Sequence, residues 1–300
     1  MSLAVIVGVA DHANGQGDKS TKYIDAHVHV WTPDTARYPL AAGYKKENMK
    51  PASFTPEQLF EHCKPAGVGR INLIQMSFYG FDNSYMLDMI AKYPKVFVGT
   101  AVIDPRGTDP AGEMGALAKR GVRAFRILPK QSDQPIEKWL RPEGFKKMFA
   151  AGARNKQAIA CLIGPDALPE IDRMCGEYPD TPVIIDHLAR IGADGVIRDA
   201  DVDRLCALAK HKNVMVKVGA FYALGKKQAP YTDLAPMIKK VVTAFGAKRC
   251  MWESDCPFQV QGEHTYQASI DLVRTRLDFL SDDDKDWLLR KTAENFFFGK

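Results

Sequence analysis

The sequence lacks any apolar run long enough for a membrane helix, which needs about 18 residues or more. Its one apolar stretch near the start, Leu3–Ala10, is about one strand long and has no Lys or Arg before it. It reads either as an atypical leader or as an extra strand. Paired cysteines are also missing: Cys63, Cys161, Cys175, Cys206, Cys250 and Cys256 form no CxxC motif, as expected of free thiols in a reducing compartment. There is no basic block. The 41 Lys and Arg are interspersed with 36 Asp and Glu for a net charge of +5, which argues against a nucleic-acid arm and leaves a mild bias towards small anions. No G-x-S-x-G elbow occurs. The glycine pair Gly67-Val68-Gly69 precedes a strand instead of following one, so it cannot set a phosphate on a helix N-terminus. What remains is a protein acting on a small molecule, without membrane or nucleic acid. It is expected in the cytoplasm, with an exported form left open by residues 3–10 and a homo-oligomer left open throughout.

What is present fills one large α/β domain. The chain has 300 residues, 46% of them hydrophobic and 26% charged. Residues 1–22 read as an N-terminal extension, polar and glycine-containing from Asp11 to Lys22, and residues 23–300 as a single catalytic domain. Eight apolar runs rich in Val and Ile follow: Tyr23–His29, Arg70–Ser77, Val96–Ile103, Gly121–Leu128, Ala158–Gly164, Pro182–Leu188, Val214–Gly219 and Arg249–Asp255. Several are almost continuously hydrophobic, as strands buried on both faces are. Helical segments are predicted between them. Thr55-Pro56-Glu57-Gln58 opens the first with a Thr cap and a Pro at the first helical position. Others cover Asp82–Tyr93, Asp109–Lys119, Pro142–Asn155, Gly164–Tyr178, Asp199–His211 and Tyr231–Phe245, and a last one is capped by Ser281. Eight alternations predict a (β/α)8 TIM barrel, with an open doubly wound sheet as the second choice.

Barrel chemistry sits at the C-terminal ends of the strands. The first run ends Asp25-Ala26-His27-Val28-His29. Alternation along a strand puts His27 and His29 on one face, where two imidazoles can share a metal or hold one substrate group. The sixth run ends with His187, on the face of Val183 and Ile185, while Asp186 is expected towards the helices or the loop. The eighth ends with Asp255, two positions from Glu253 and on its face. A carboxylate there can bind a metal or take a proton from water.

These segments, "YIDAHVHVW", "EYPDTPVIIDHLA" and "ESDCPF", resemble the amidohydrolase superfamily. The likeness is to the amidohydrolase-2 branch of sugar lactonases, sulfomuconolactone hydrolase and 2-pyrone-4,6-dicarboxylate lactonase, and it runs from about Tyr23 to Phe297. It implies a hydrolase, with His27, His29, His187 and Asp255 as metal ligands or as groups that hold water and substrate, and with Asp255 and His187 catalytic. The fourth and fifth runs depart from the superfamily: they end Arg126-Ile127-Leu128-Pro129 and Leu162-Ile163-Gly164, with no bridging Lys or Glu and no His. A two-metal centre is thereby excluded. One divalent ion, zinc before others, and no metal at all both stay open.

The charged and aromatic residues near the strand ends point to an acidic or highly oxygenated substrate, since guanidinium forks bind carboxylates. The candidates are Arg126, Arg123, Lys217, Arg190, Tyr79 and Tyr222. Arg123 and Arg126 cannot both face inward from a regular strand, and Arg126 is nearer the tip. The leading expectation is hydrolysis of a lactone, with Asp255 as general base. A metal-dependent decarboxylase of an aromatic acid stands second, weakened by the missing strand-five His. A silent ligand-binding barrel stands third, weakened by the intact His and Asp set.

Overall fold

Each of the eight apolar runs forms a parallel strand in the computed structural model, which describes residues 22–299. The strands are β1 (Tyr23–Val28), β2 (Val68–Ile74), β3 (Phe97–Ala101), β4 (Val122–Ile127), β5 (Ala158–Cys161), β6 (Val183–Ile185), β7 (Val214–Gly219) and β8 (Cys250–Glu253). They pair in sequence order, and a bridge between Val28 and Cys256 brings β8 back to β1, giving a nearly closed barrel. The expected N-terminal extension and its apolar stretch lie, up to residue 21, outside the described residues.

The helices between the strands are α1 (Pro56–Cys63), α2 (Ser84–Lys92), α3 (Pro110–Ala118), α4 (Glu143–Asn155), α5 (Leu168–Glu177), α6 (Asp199–Ala207), α7 (Ala235–Phe245), α8 (Tyr266–Asp271) and α9 (Asp282–Asp286). Thr55 caps α1 through a reciprocal box with Gln58, and Ser281 caps α9 in the same way with Asp284. Beyond α8 and α9 the backbone widens into π-turns at Leu272–Arg276, Trp287–Lys291 and Glu294–Phe298. Among the described residues no helix is long and apolar enough to cross a membrane.

Two apolar clusters hold the barrel. The larger packs the outer strand faces against the helices. The smaller fills the interior near the strand starts with Ile24, Ala26, Val98, Ala124, Ala158, Ala160, Ile184 and Met251, and Ala293 and Phe297 join it from the C-terminal segment. Residues from Arg126, Lys217 and Glu253 upward are polar, so the interior changes from apolar to charged along its axis. That gradient assigns stability to one end and chemistry to the other.

The strands that carry chemistry end earlier than alternation suggests. β6 stops at Ile185. The four residues from His187 to Arg190 then take left-handed backbone, with φ between 51 and 55°. Asp255 also has φ of 60°. Left-handed backbone costs a non-glycine residue about 1–2 kcal/mol, and such strain gathers at functional positions. Asp186 continues the inner face of Ile184, and the turn brings His187 to the interior beside it. β1 likewise breaks register between Asp25 and Val28, so Asp25 does not share the inner face of His27. It meets Tyr266 of α8 instead.

Candidate active site

The structure gathers His27, His29, Arg126, Asp186, His187, Lys217, Tyr222, Glu253 and Asp255 into one connected cluster at the top of the barrel interior. His29 anchors one side. Its Nδ1 lies 3.0 Å from the Ile74 carbonyl, which only accepts, so the proton is assigned to Nδ1 and the lone pair to Nε2. That Nε2 is 3.3 Å from Asp255 Oδ1 and 3.3 Å from His27 Nε2.

His27 is fully buried. Arg126 Nη2 donates to its Nε2 at 2.7 Å, and its Nδ1 lies 3.0 Å from both Lys217 Nζ and Glu253 Oε2. Burial first, then the Lys217 and Arg126 charges, lower its pKa to about 4, so the ring is neutral. His187 is the opposite case. Its Nδ1 is 2.6 Å from Glu253 Oε1, which also accepts its backbone N–H at 3.1 Å. Burial works against the charged ring, but Glu253 and Asp255 outweigh it and hold the pKa above the usual histidine value.

Asp255 stands between the histidines. Burial opposes its charge, yet His187, His29 and His27 overcome that and keep it well below the usual carboxylate range. Tyr222 donates its hydroxyl to Asp255 Oδ2 at 2.6 Å. Glu253, pulled down to about 2 despite burial by His187 and His27, is also ionised. Asp186 is held low by Lys217 and Arg126 against its burial. Arg126 Nε donates to Asp186 Oδ2 at 3.1 Å.

Above this floor opens a cavity of about 980 Å³. His29, Arg126, His187, Tyr222 and Asp255 reach it from below. Arg106, Lys130, Arg190 and Lys227 stand on its walls with apolar Met76, Phe81, Leu162 and Phe258. Arg190 is exposed and makes no ion pair among the described residues. Among the described residues, Asp255 is the only carboxylate on the lining.

Three of the residues expected to bind substrate lie elsewhere. Arg123 sits at the start of β4, where its guanidinium donates to the Ala118 and Val122 carbonyls, because odd spacing turns it away from the Arg126 face. Tyr79 is buried in the core, and its hydroxyl accepts the Thr32 N–H at 3.3 Å. Lys217 is fully buried below the cavity floor and pairs with Asp186 at 3.0 Å, so it is out of reach of a bound molecule. Sequence reasoning in turn passed over Asp186 and Glu253. The signal was a carboxylate inside an otherwise apolar strand end, which burial makes costly unless it is paired.

The donor set suits one metal ion. One group of possible ligands is His27, His187 and Asp255, with donor atoms within 4.8 Å of one another, and His29 Nε2 points at the same carboxylate. Asp255 Oδ1 is buried without a hydrogen bond, as an oxygen reserved for a ligand would be. Arg126 contacts the same His27 Nε2, so a metal and the guanidinium compete for that lone pair.

A nearly closed eight-stranded barrel with two histidines at the end of β1, one after β6 and an aspartate after β8 defines a class of barrel enzymes. Residues 24–299 match the amidohydrolase family, and the chain belongs to it. It is 26% identical to the L-fucono-1,5-lactonase of Burkholderia ambifaria over 244 residues, covering 78% of this chain and 80% of that one. It is 26% identical to the 4-sulfomuconolactone hydrolase of Rhizobium radiobacter over 236 residues, 78% of this chain and 75% of the relative. An amidohydrolase structure from Burkholderia multivorans with bound zinc superposes with a TM-score of 0.76 at 20% identity, covering 92% of this chain and 99% of that one.

Proposed function

We propose that this protein hydrolyses a lactone, or a related cyclic ester, of a carboxylated or sugar-acid substrate. The observation that carries this reading is the convergence of Asp255, His29 and His187 on the floor of a cavity whose walls are cationic. The two lactone-hydrolysing relatives support it, one of them named for a sulfonated, and so anionic, lactone.

Asp255, ionised throughout the working pH range, takes a proton from a water as its oxygen attacks the lactone carbonyl carbon. The His187 imidazolium, held in its charged form by Glu253, donates from Nε2 to the developing oxyanion. The ring C–O bond then breaks, and the departing alkoxide takes back the proton that Asp255 removed from the water, leaving a hydroxy acid and an ionised Asp255. His29 presents its Nε2 lone pair to the attacking water and keeps it beside Asp255. Arg126, backed by Asp186, and Arg190 on the wall receive the substrate's anionic group. Tyr222 fixes the Asp255 rotamer through its 2.6 Å bond. A divalent ion held by His27, His29, His187 and Asp255 would take the place of the His187 Nε2 proton and supply Lewis-acid polarisation of the carbonyl instead. Action in the cytoplasm fits the six free thiols.

The test is Asp255→Asn assayed against a lactone panel by acid release. Loss of a general base lowers kcat by about a hundredfold or more. A folded variant with full activity would refute the assignment.

A further inference from the structure

The reaction leaves Lys217 without contact to substrate, yet it is fully buried at the centre of the polar cluster. Around it lies a second possible ligand group, His27, Asp186 and Glu253, again with donor atoms within 4.8 Å of one another. All three residues are buried; Asp186 Oδ1 meets only the Lys217 ammonium, at 3.0 Å, with His27 Nδ1 at 3.7 Å, and Glu253 Oε2 lies 3.0 Å from His27 Nδ1. Two enclosed carboxylates and an imidazole form a donor set that attracts a divalent cation. Lys217 Nζ stands 3.0 Å from Asp186 Oδ1 and 3.0 Å from His27 Nδ1. An ammonium and a metal ion cannot share that space.

We infer that Lys217 is the resident cation of this inner position, a covalently held positive charge that takes the place of an ion and confines metal binding to the outer group above it. The charges agree. Three buried carboxylates, Asp186, Glu253 and Asp255, face the Arg126 guanidinium and the Lys217 ammonium, which leaves a single negative charge in excess. A second divalent ion would leave it strongly positive in a medium where unbalanced charge is costly. Removing the ammonium while keeping its three neighbours leaves a net negative, prearranged ion site.

The experiment is zinc stoichiometry, by elemental analysis after equilibrium dialysis, on the full chain and on Lys217→Ala and Lys217→Arg. Wild type is expected to saturate at no more than one ion per chain. K217A is expected to bind one ion more than wild type, and K217R the same number as wild type. Adding Asp186→Asn to K217A is expected to abolish the extra ion. Two ions in wild type, or no gain in a folded K217A, would overturn the inference. If K217A loses its circular-dichroism signal in metal-free buffer, zinc must restore it, and a variant unfolded in both buffers also overturns it. The readout is binding, so inactivity of the wild type on every lactone tested would sink the proposed reaction and leave this result standing.

Discussion

Asp25 gives a prediction that runs against intuition: Asp25→Asn should stabilise the protein at alkaline pH. Asp25 is fully buried, and its Oδ1 accepts the backbone N–H groups of His27 and Ser254, each at 3.0 Å, while Tyr266 donates its hydroxyl to Oδ2. Burial dominates these bonds and pushes the carboxyl from 3.8 up to about 6. A carboxyl whose folded pKa is raised contributes most to stability below its unfolded value and loses that contribution as pH climbs through the folded one. Between 3.8 and about 6 the loss is about 3 kcal/mol, at 1.36 kcal/mol per tenfold. Asparagine never ionises. Its oxygen can accept both N–H groups, and its amide nitrogen can donate to the Tyr266 oxygen. Reversing that bond leaves the Tyr266 hydroxyl proton without its acceptor and costs about 1 kcal/mol. The variant should therefore be more stable than wild type by about 2 kcal/mol near pH 8 and less stable by about 1 kcal/mol near pH 4. Denaturant unfolding at both pH values measures the difference, in which the titration of every other group largely cancels. A stability difference that does not change with pH, or a variant weaker than wild type at pH 8, would show that the Asp25 carboxylate is not penalised by its burial.

Glu253→Gln removes the larger of the charges that sustain the His187 imidazolium and leaves mainly Asp255 to oppose burial. The alkaline fall of kcat/KM should move to lower pH, and an unmoved limb would disprove a proton-donating His187. Arg190→Ala should raise KM for an anionic lactone about ten- to hundredfold with kcat kept, as expected for a lost charge-assisted contact. The same variant should leave KM for a neutral lactone unchanged, and initial-rate kinetics on the matched pair decides it.

The barrel was legible because its strands are buried on both faces, so each reads as a continuous apolar run whatever its neighbours do. Val214–Gly219 agrees to the residue, and the other strands differ at their ends by one to three residues. The candidate site was legible where side chains obey alternation, as with His27, His29 and Arg126. It was not legible where the backbone leaves the strand. Asp186 follows the inner face of Ile184, and it is His187, on the outer face of Val183 and Ile185, that the left-handed turn from His187 to Arg190 swings inward. Nothing in local composition announces four left-handed residues without glycine. Lys217 was read as a substrate contact because its face was correct but its depth was not. Height above the barrel floor depends on where all eight strands stop, which no single run reveals.

The seam between β1 and β8 has a consequence for how the protein is made. The Ser254 N–H that bonds Asp25 Oδ1 lies 229 residues further along the chain. The histidine pair leaves the ribosome first, while the carboxylates that complete the cluster, Glu253 and Asp255, follow more than 220 residues later. At about 5–20 residues per second, the nascent sheet spends on the order of ten seconds or more with an open edge. Until β8 closes on β1, Arg126 and Lys217 have only Asp186 of the three carboxylates, and the exposed strand edge is a template for pairing with another chain.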